Sequence, residues 1–117
     1  MDGKMIFGGI LAVVLVGALV YALWPHPWVF ADDQSPVMYF YQDSCIHCKA
    51  MKPILDELGQ QGYRVKLMNA EKNPQYWTQY NVTGTPMWVA QNGDRLEGEQ
   101  SKADLQAWFD AHGAKIA

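Results

Sequence analysis

Residues 37–117 carry hydrophobic patterns that switch between those of strands and helices. Val37–Tyr41 is a continuous apolar run, which is typical of a strand buried on both faces. Over residues 45–58 the apolar positions follow the i, i+3, i+4, i+7 spacing of an amphipathic helix. Pro53 lies inside this predicted helix and should kink it, and Gly59 supplies a stop. The apolar face comprises Met51, Ile54, Leu55 and Leu58.

The alternation of elements continues through the second half of the chain. Residues 63–68 alternate apolar and polar side chains, which predicts a second strand. It should run parallel to the first strand because a helix connects the two. Asn73-Pro74 indicates the start of a short helix that reaches Tyr80. Asn92-Gly93 lies between two short predicted strands, residues 87–90 and 95–97, and predicts an antiparallel hairpin.

A closing helix is predicted after Ser101. Ser101 and Asp104 have the spacing of a capping box, and Gly113 marks the end of the helix. The apolar face of this helix comprises Leu105, Trp108 and Phe109. The order strand, helix, strand, short helix, hairpin, helix predicts an α/β domain over residues 37–117, with about four strands in a mixed sheet flanked by helices.

The N-terminal region, residues 1–24, predicts a membrane anchor. Residues 5–24 contain no charge, and at about 1.5 Å per residue they span roughly 30 Å, the hydrocarbon thickness of a bilayer. Tyr21, Trp24 and Trp28 are suited to the membrane interface. Lys4 precedes the run, and acidic residues follow it, which favours a cytoplasmic N-terminus. We therefore expect a single-pass protein of the bacterial inner membrane, with its C-terminal domain in the periplasm.

An alternative is a cleaved export signal. The residues around Ala31 are compatible with a processing site, and cleavage there would leave a soluble periplasmic domain. Residues 25–36 contain three prolines and no periodicity, so we interpret them as an extended tether. Both alternatives place the domain outside the cytoplasm.

Charge and composition exclude some functions. The net charge is −3, and no basic cluster interleaves with aromatic residues, so nothing indicates nucleic-acid binding. The 117 residues have no internal repeat and no separate dimerisation domain. We expect a monomer.

The candidate chemistry lies in the only two cysteines of the chain, Cys45 and Cys48. They stand three positions apart, directly after the first strand and at the start of the first helix. A dithiol with this spacing can open and close a short disulfide, and a helix N-terminus stabilises the reactive thiolate.

A metal-carrier or assembly module is the alternative to redox chemistry. Cys45, Cys48 and His47 could hold a soft ion such as copper, with His26 or His112 as a further ligand. However, only one Cys-x-x-Cys is present, and His47 should point away from both cysteines on a helix. We therefore predict no metal site.

The motifs of residues 37–114 resemble those of bacterial thioredoxins in order and spacing. The resemblance implies a thioredoxin-like fold, truncated because the first strand and helix of the family are missing, with the predicted transmembrane helix in their place. It also implies that no cofactor is needed besides the redox-active Cys45–Cys48 disulfide. The matching segments are Cys45-x-x-Cys48-Lys49, residues 53–58, residues 66–69, Asn73-Pro74, Tyr80, Gly84-Thr85-Pro86, Asn92-Gly93, and Ser101-Lys102 with Leu105.

The resemblance also implies a role for each site residue. Cys45 would be the attacking thiolate, and Cys48 would be the resolving thiol. Pro86 matches the cis-proline that faces the dithiol in this family, and Thr85 would offer its backbone to an extended substrate peptide.

The chain departs from thioredoxin at three positions near the dithiol. Ile46 and His47 replace Gly-Pro between the cysteines, and the histidine is similar to that of the periplasmic disulfide oxidase of the Dsb family. An imidazole there would favour the Cys45 thiolate and make the disulfide more oxidising. Tyr39 stands where thioredoxin carries a buried acid, which puts fast thioredoxin-like reduction in doubt.

These features predict a thiol–disulfide oxidoreductase that exchanges disulfides with exported proteins. Reductase or isomerase character is favoured, partly because Thr85 resembles the equivalent residue of the periplasmic isomerase. A membrane electron-transfer partner of the thiol–disulfide type would then recharge the dithiol. The alternative within the same fold is a disulfide-forming oxidase, which the His47 environment favours.

Overall fold

The computed structural model describes residues 28–117, so the anchor predicted at residues 5–24 lies outside the described residues. Within residues 28–117, no helix is long and apolar enough to cross a membrane. The elements in chain order are β1 (Val37–Tyr41), α1 (Ile46–Gln60), β2 (Lys66–Asn69), α2 (Tyr76–Gln79), β3 (Met87–Ala90), β4 (Arg95–Glu97) and α3 (Lys102–Ala111).

The four strands form one mixed sheet in the order β2-β1-β3-β4. β1 pairs parallel with β2 and antiparallel with β3, and the β3–β4 hairpin is antiparallel. Gly93 adopts a φ of +93° in the hairpin turn, a conformation that glycine reaches without strain. The predicted α/β order, the mixed sheet and the hairpin are therefore confirmed.

The central strand β1 is buried on both faces, as its apolar run predicted. Val37 and Tyr39 face a core formed with the two longer helices, whereas Phe40 faces a second cluster with Met68 and Met87. Tyr39 is sandwiched between aromatic rings. Its ring stacks on Trp88 of β3 with centroids 5.0 Å apart, and on Tyr41 at 5.4 Å.

Residues 28–36 pack against the domain, in contrast to the extended tether predicted for them. Phe30 is 1% exposed in the main core. Its carbonyl accepts a hydrogen bond from the Val65 N–H at 2.7 Å, and the Val65 carbonyl accepts one from the Asp32 N–H at 2.9 Å. Ala31 also forms a parallel bridge with Val65. This segment therefore covers part of the edge next to β2.

Three predicted boundaries differ from the structure. β2 begins at Lys66 because Tyr63 and Val65 form isolated bridges to other segments, with Lys115 and Ala31 as partners. The short helix begins at Tyr76, because Asn73 and Pro74 form a preceding turn whose carbonyls accept from Tyr76 and Trp77. α1 continues through Pro53 and past Gly59 to Gln60.

Gly59 serves packing and does not end the helix. A Cβ at this position would lie 2.8 Å from Cγ1 of Val29 and 3.0 Å from Cβ of Phe30. The chain turns after α1 at Gly62, whose φ of +100° suits glycine. The absence of a side chain at Gly59 therefore allows residues 29 and 30 to pack directly on α1.

Candidate active site

The two cysteines lie at the N-terminus of α1, directly after the loop that follows β1. Cys45 is the N-cap residue, and its Sγ accepts a hydrogen bond from the Cys48 N–H at 3.1 Å. Cys45 is partly exposed, whereas Cys48 is 6% exposed. One thiol therefore faces solvent at the positive end of a 15-residue helix dipole, and the other is covered.

The segment before β3 lies opposite the exposed thiol. The Thr85 carbonyl oxygen lies 3.6 Å from Cys45 Sγ, and the Thr85–Pro86 peptide bond is cis, as the resemblance implied. The Thr85 hydroxyl donates to Gln42 Oε1 at 3.1 Å. Gln42 also accepts a backbone hydrogen bond from Cys45 through its carbonyl, so it connects the two sides of the site.

The surroundings of the two thiols move their pKa values in opposite directions. Burial raises the pKa of Cys45, but hydrogen bonds with the Cys48 thiol, with Thr85 and with backbone N–H groups outweigh it, so the net pKa lies below the ordinary value. Burial and the hydrogen bond with Cys45 raise the pKa of Cys48 to about 11. The thiolate therefore forms on the exposed sulfur first, as disulfide exchange requires.

The imidazole of His47 pairs with Glu99 and not with Cys45, and the tuning role that the sequence suggested for His47 stays a prediction. Its Nδ1 lies 2.9 Å from Oε2 of Glu99, and the side chain is 66% exposed. Of the groups of His47, the backbone N–H is the one that contributes to lowering the pKa of Cys45. Ile46, the other residue between the cysteines, is 74% exposed and presents an apolar surface beside the reactive sulfur.

A cavity of about 90 Å³ adjoins the buried thiol. Its inner wall includes Cys48 and Tyr39, and Trp28 closes another side. Exposed Asp43, Lys49 and Lys52 lie at its mouth, with Lys52 Nζ 5.7 Å from the Trp28 ring centroid. Trp28 was assigned to the membrane interface from the sequence, and no periodicity in residues 25–36 could have shown its position here.

Two side chains of β4 hold the loop that leads to Thr85. The Arg95 guanidinium donates to the carbonyl of Asn81 at 2.6 Å and to that of Tyr80 at 2.5 Å. The Thr83 hydroxyl donates to Glu97 Oε1 at 2.7 Å. The sequence predicted β4 only as half of a hairpin, and these contacts give it a second role in positioning the site.

The histidines considered as metal ligands are engaged elsewhere or lie outside the described residues. His112 contacts the Trp108 carbonyl and Asp94, at 2.7 and 2.9 Å, and His26 is not among residues 28–117. In that part of the chain no three His, Cys, Asp or Glu side chains come together as a possible metal site.

Comparisons with known proteins agree on one family. The thioredoxin family model matches residues 27–111. Among curated proteins, thioredoxin of Acidithiobacillus ferridurans is 33% identical over 71% of this chain and 83% of its own length. Thioredoxin of Rickettsia typhi is 30% identical over 69% of this chain and 84% of its own.

Solved structures show the same fold at lower identity. A mutant thioredoxin from Halobacterium salinarum superposes with a TM-score of 0.58 at 22% identity, covering 73% of this chain and 80% of its own. Oxidised mitochondrial thioredoxin 3 from Saccharomyces cerevisiae gives 0.56 at 24% identity, covering 68% and 81%. These two matches support the architecture of the sheet and helices.

Proposed function

The chain belongs to the thioredoxin family and is a thiol–disulfide oxidoreductase, and on this basis we propose that it reduces or isomerises disulfides of exported proteins from a membrane anchor. The observation that supports Cys45 as the attacking thiol is the difference in exposure and pKa between the two cysteines. Cys45 is the more exposed and more acidic thiol, whereas Cys48 is covered and has its pKa raised to about 11.

Exchange then proceeds in two displacements that conserve electrons. The Cys45 thiolate attacks a substrate disulfide, forming a Cys45–substrate disulfide and releasing the other substrate sulfur as a thiolate that takes up a proton. Cys48 loses its proton and attacks Cys45, which forms the Cys45–Cys48 disulfide and releases the second substrate thiol. The substrate gains two electrons, and the dithiol loses two.

The surface around Cys45 suits an extended peptide. The backbone of Thr85 lies beside the reactive sulfur, where it can pair with a substrate strand, and Ile46 provides apolar contact on the other side. Backbone pairing recognises chain conformation and makes little use of side chains, so it fits a protein that acts on many sequences.

The export and anchoring parts of the proposal rest on residues 5–24. The packing of residues 28–32 supports retention over cleavage near Ala31, because cleavage would remove Phe30 from the core and the Phe30–Val65 hydrogen bond with it. A reductase also needs an electron donor that reduces the Cys45–Cys48 disulfide after each cycle. We propose that this donor is a membrane protein of the thiol–disulfide type.

The second candidate direction is oxidation. The lowered pKa of Cys45 stabilises the reduced dithiol, and this feature makes a disulfide more oxidising. A strongly oxidising centre would accept electrons from substrate thiols, and its partner would have to remove them.

Insulin reduction and a redox titration test the proposal. The detergent-solubilised full chain should accelerate insulin reduction by a small dithiol, and Cys45→Ser should abolish the acceleration; equal rates would exclude exchange through Cys45. Equilibration of the full chain with glutathione mixtures then gives the direction. A potential near about −270 mV indicates a reductant, and one near about −120 mV indicates an oxidant and would overturn the reductase assignment.

A further inference from the structure

Tyr39 places a buried hydroxyl beside the covered thiol. It is 2% exposed, it lines the same cavity as Cys48, and burial together with the neighbouring Cys48 and Cys45 sulfurs raises its pKa far above the ordinary value. The phenol therefore stays protonated throughout exchange. It is a hydrogen-bond donor, and it is not a base.

The resolving thiol needs such a donor. Cys48 must become a thiolate in order to attack the mixed disulfide, yet its burial opposes a charge. Once Cys45 is tied to the substrate, it no longer carries a negative charge that competes for nearby donors. A phenol O–H that contacts the Cys48 sulfur can then stabilise the new anion, because hydrogen bonds to charged acceptors are the stronger ones.

The adjoining cavity offers a path for the departing proton. It extends from Tyr39 and Cys48 to exposed Asp43, Lys49 and Lys52, and its volume of about 90 Å³ is enough for water. Asp43 is the only carboxylate among its lining residues, and the two lysines add positive charge at the mouth. The proton of Cys48 can therefore reach solvent without crossing the apolar core.

We propose that Tyr39 is a catalytic residue of the resolving step: its hydroxyl donates a hydrogen bond to the Cys48 sulfur while the Cys48 proton leaves through the cavity. The inference rests on the proposed resolving role of Cys48. It assigns a function to a position at which the sequence suggested only a missing acid. The aromatic stack with Trp88 holds the Tyr39 ring, and thus its hydroxyl, in place.

Tyr39→Phe is the discriminating variant, because it removes the hydroxyl and keeps the ring that packs on Trp88. Tyr41→Phe is the matched control, since it removes a hydroxyl from the same cavity wall and from a tyrosine that interacts with Asn69. In the full chain, acid quenching followed by thiol trapping should separate formation of the mixed disulfide from its resolution. We expect Tyr39→Phe to slow resolution roughly tenfold and to leave formation within about twofold, with Tyr41→Phe unchanged in both steps.

A second measurement does not depend on any protein substrate. In a Cys45→Ser background, the ultraviolet absorbance of the thiolate reports the titration of Cys48. Adding Tyr39→Phe should raise the pKa of Cys48 by about one, and adding Tyr41→Phe should not. This result stands even if exchange with exported proteins is disproved, so the two proposals fail separately. An unchanged pKa, or equal slowing of both steps, would overturn the role of Tyr39 and leave it with packing alone.

Discussion

The N–H of Cys48 donates to the sulfur of Cys45 at 3.1 Å, so a single contact both caps α1 and stabilises the reactive anion. A thiol is an unusual N-cap, because this position normally carries an oxygen of Ser, Thr, Asp or Asn. Deprotonation of Cys45 strengthens the cap, and protonation weakens it. The start of the helix and the state of the active site are therefore linked.

The first prediction concerns the pH dependence of this sulfur. The folded pKa of Cys45 is lowered, so the reduced protein gains stability above the unfolded pKa of a thiol, about 8.5, and loses it as the pH falls through the folded pKa. Alkylation of Cys45 by iodoacetamide should follow a titration below about 8.5. Cys48 should react only near a pH of about 11. Comparable rates for the two thiols at neutral pH would contradict the asymmetry.

The second prediction concerns His47. Because its imidazole pairs with Glu99 and not with Cys45, His47→Ala should change the alkylation pKa of Cys45 by less than about 0.3. Thr85→Ala is the contrasting variant, because it keeps the carbonyl beside Cys45 but removes the Thr85 side-chain hydrogen bond that contributes to lowering the pKa of Cys45; the alkylation pKa should rise in this variant. A large rise in the alkylation pKa of Cys45 in His47→Ala would contradict this expectation and support the tuning role that the sequence suggested.

The third prediction tests the packing of residues 29 and 30 on α1. Gly59→Ala places a Cβ 2.8 Å from Val29 and 3.0 Å from the Phe30 backbone nitrogen, and we expect a loss of about 1–3 kcal/mol in the free energy of unfolding. In an open helix the same change would stabilise by about 1 kcal/mol. Urea unfolding measures the difference. Gly84→Ala, which meets no atom within 4 Å, should be close to neutral; a stabilised Gly59→Ala would show that residues 29 and 30 do not pack there.

The fourth prediction concerns His112, which links the end of α3 to the hairpin. Its two ring nitrogens lie 2.7 Å from the Trp108 carbonyl and 2.9 Å from Asp94, and both partners accept hydrogen bonds. The ring satisfies both only when it is protonated, which raises the pKa of His112. The stabilisation should be complete below about pH 6.5 and should fade as the pH rises through the folded pKa.

The His112–Asp94 pair also limits stability at low pH. Hydrogen bonds with His112 and Asn92 lower the pKa of Asp94, so its contribution is present above about pH 3.9 and is lost as the pH falls through the folded pKa. Thermal unfolding across this range should show the optimum between the two limits. His112→Gln should flatten the loss of stability on the high-pH side; an unchanged pH dependence there in His112→Gln would contradict the prediction.

The regular elements of the fold could be predicted because their signals are local. The period of Met51, Leu55 and Leu58 defines α1, and Asn92-Gly93 defines the hairpin, and neither depends on a distant partner. The cysteine pair was found for the same reason. Ser101 caps α3 by accepting from the Asp104 N–H, as the spacing of the two residues predicted.

The remaining features depend on contacts between distant segments. Phe30 is buried because Val65, far along the chain, offers backbone partners, and a proline-rich segment without periodicity gives no sign of this. The orientation of His47 depends on Glu99, on the far side of the hairpin. The cavity beside Cys48 is lined by residues from separate segments, Trp28 among them, so neither the cavity nor the position of Tyr39 beside it could be predicted from one motif.

If the proposed anchor is retained, the packing of Trp28 next to the active-site cavity also limits how far the enzyme can reach. If residues 5–24 form the proposed anchor, only residues 25–27 separate the span from the folded domain, and these extend at most about 11 Å. The dithiol would then be confined to a thin layer above the bilayer. Its substrates would be chains that emerge from or lie along the membrane, and freely diffusing proteins would have to approach that surface before they could react.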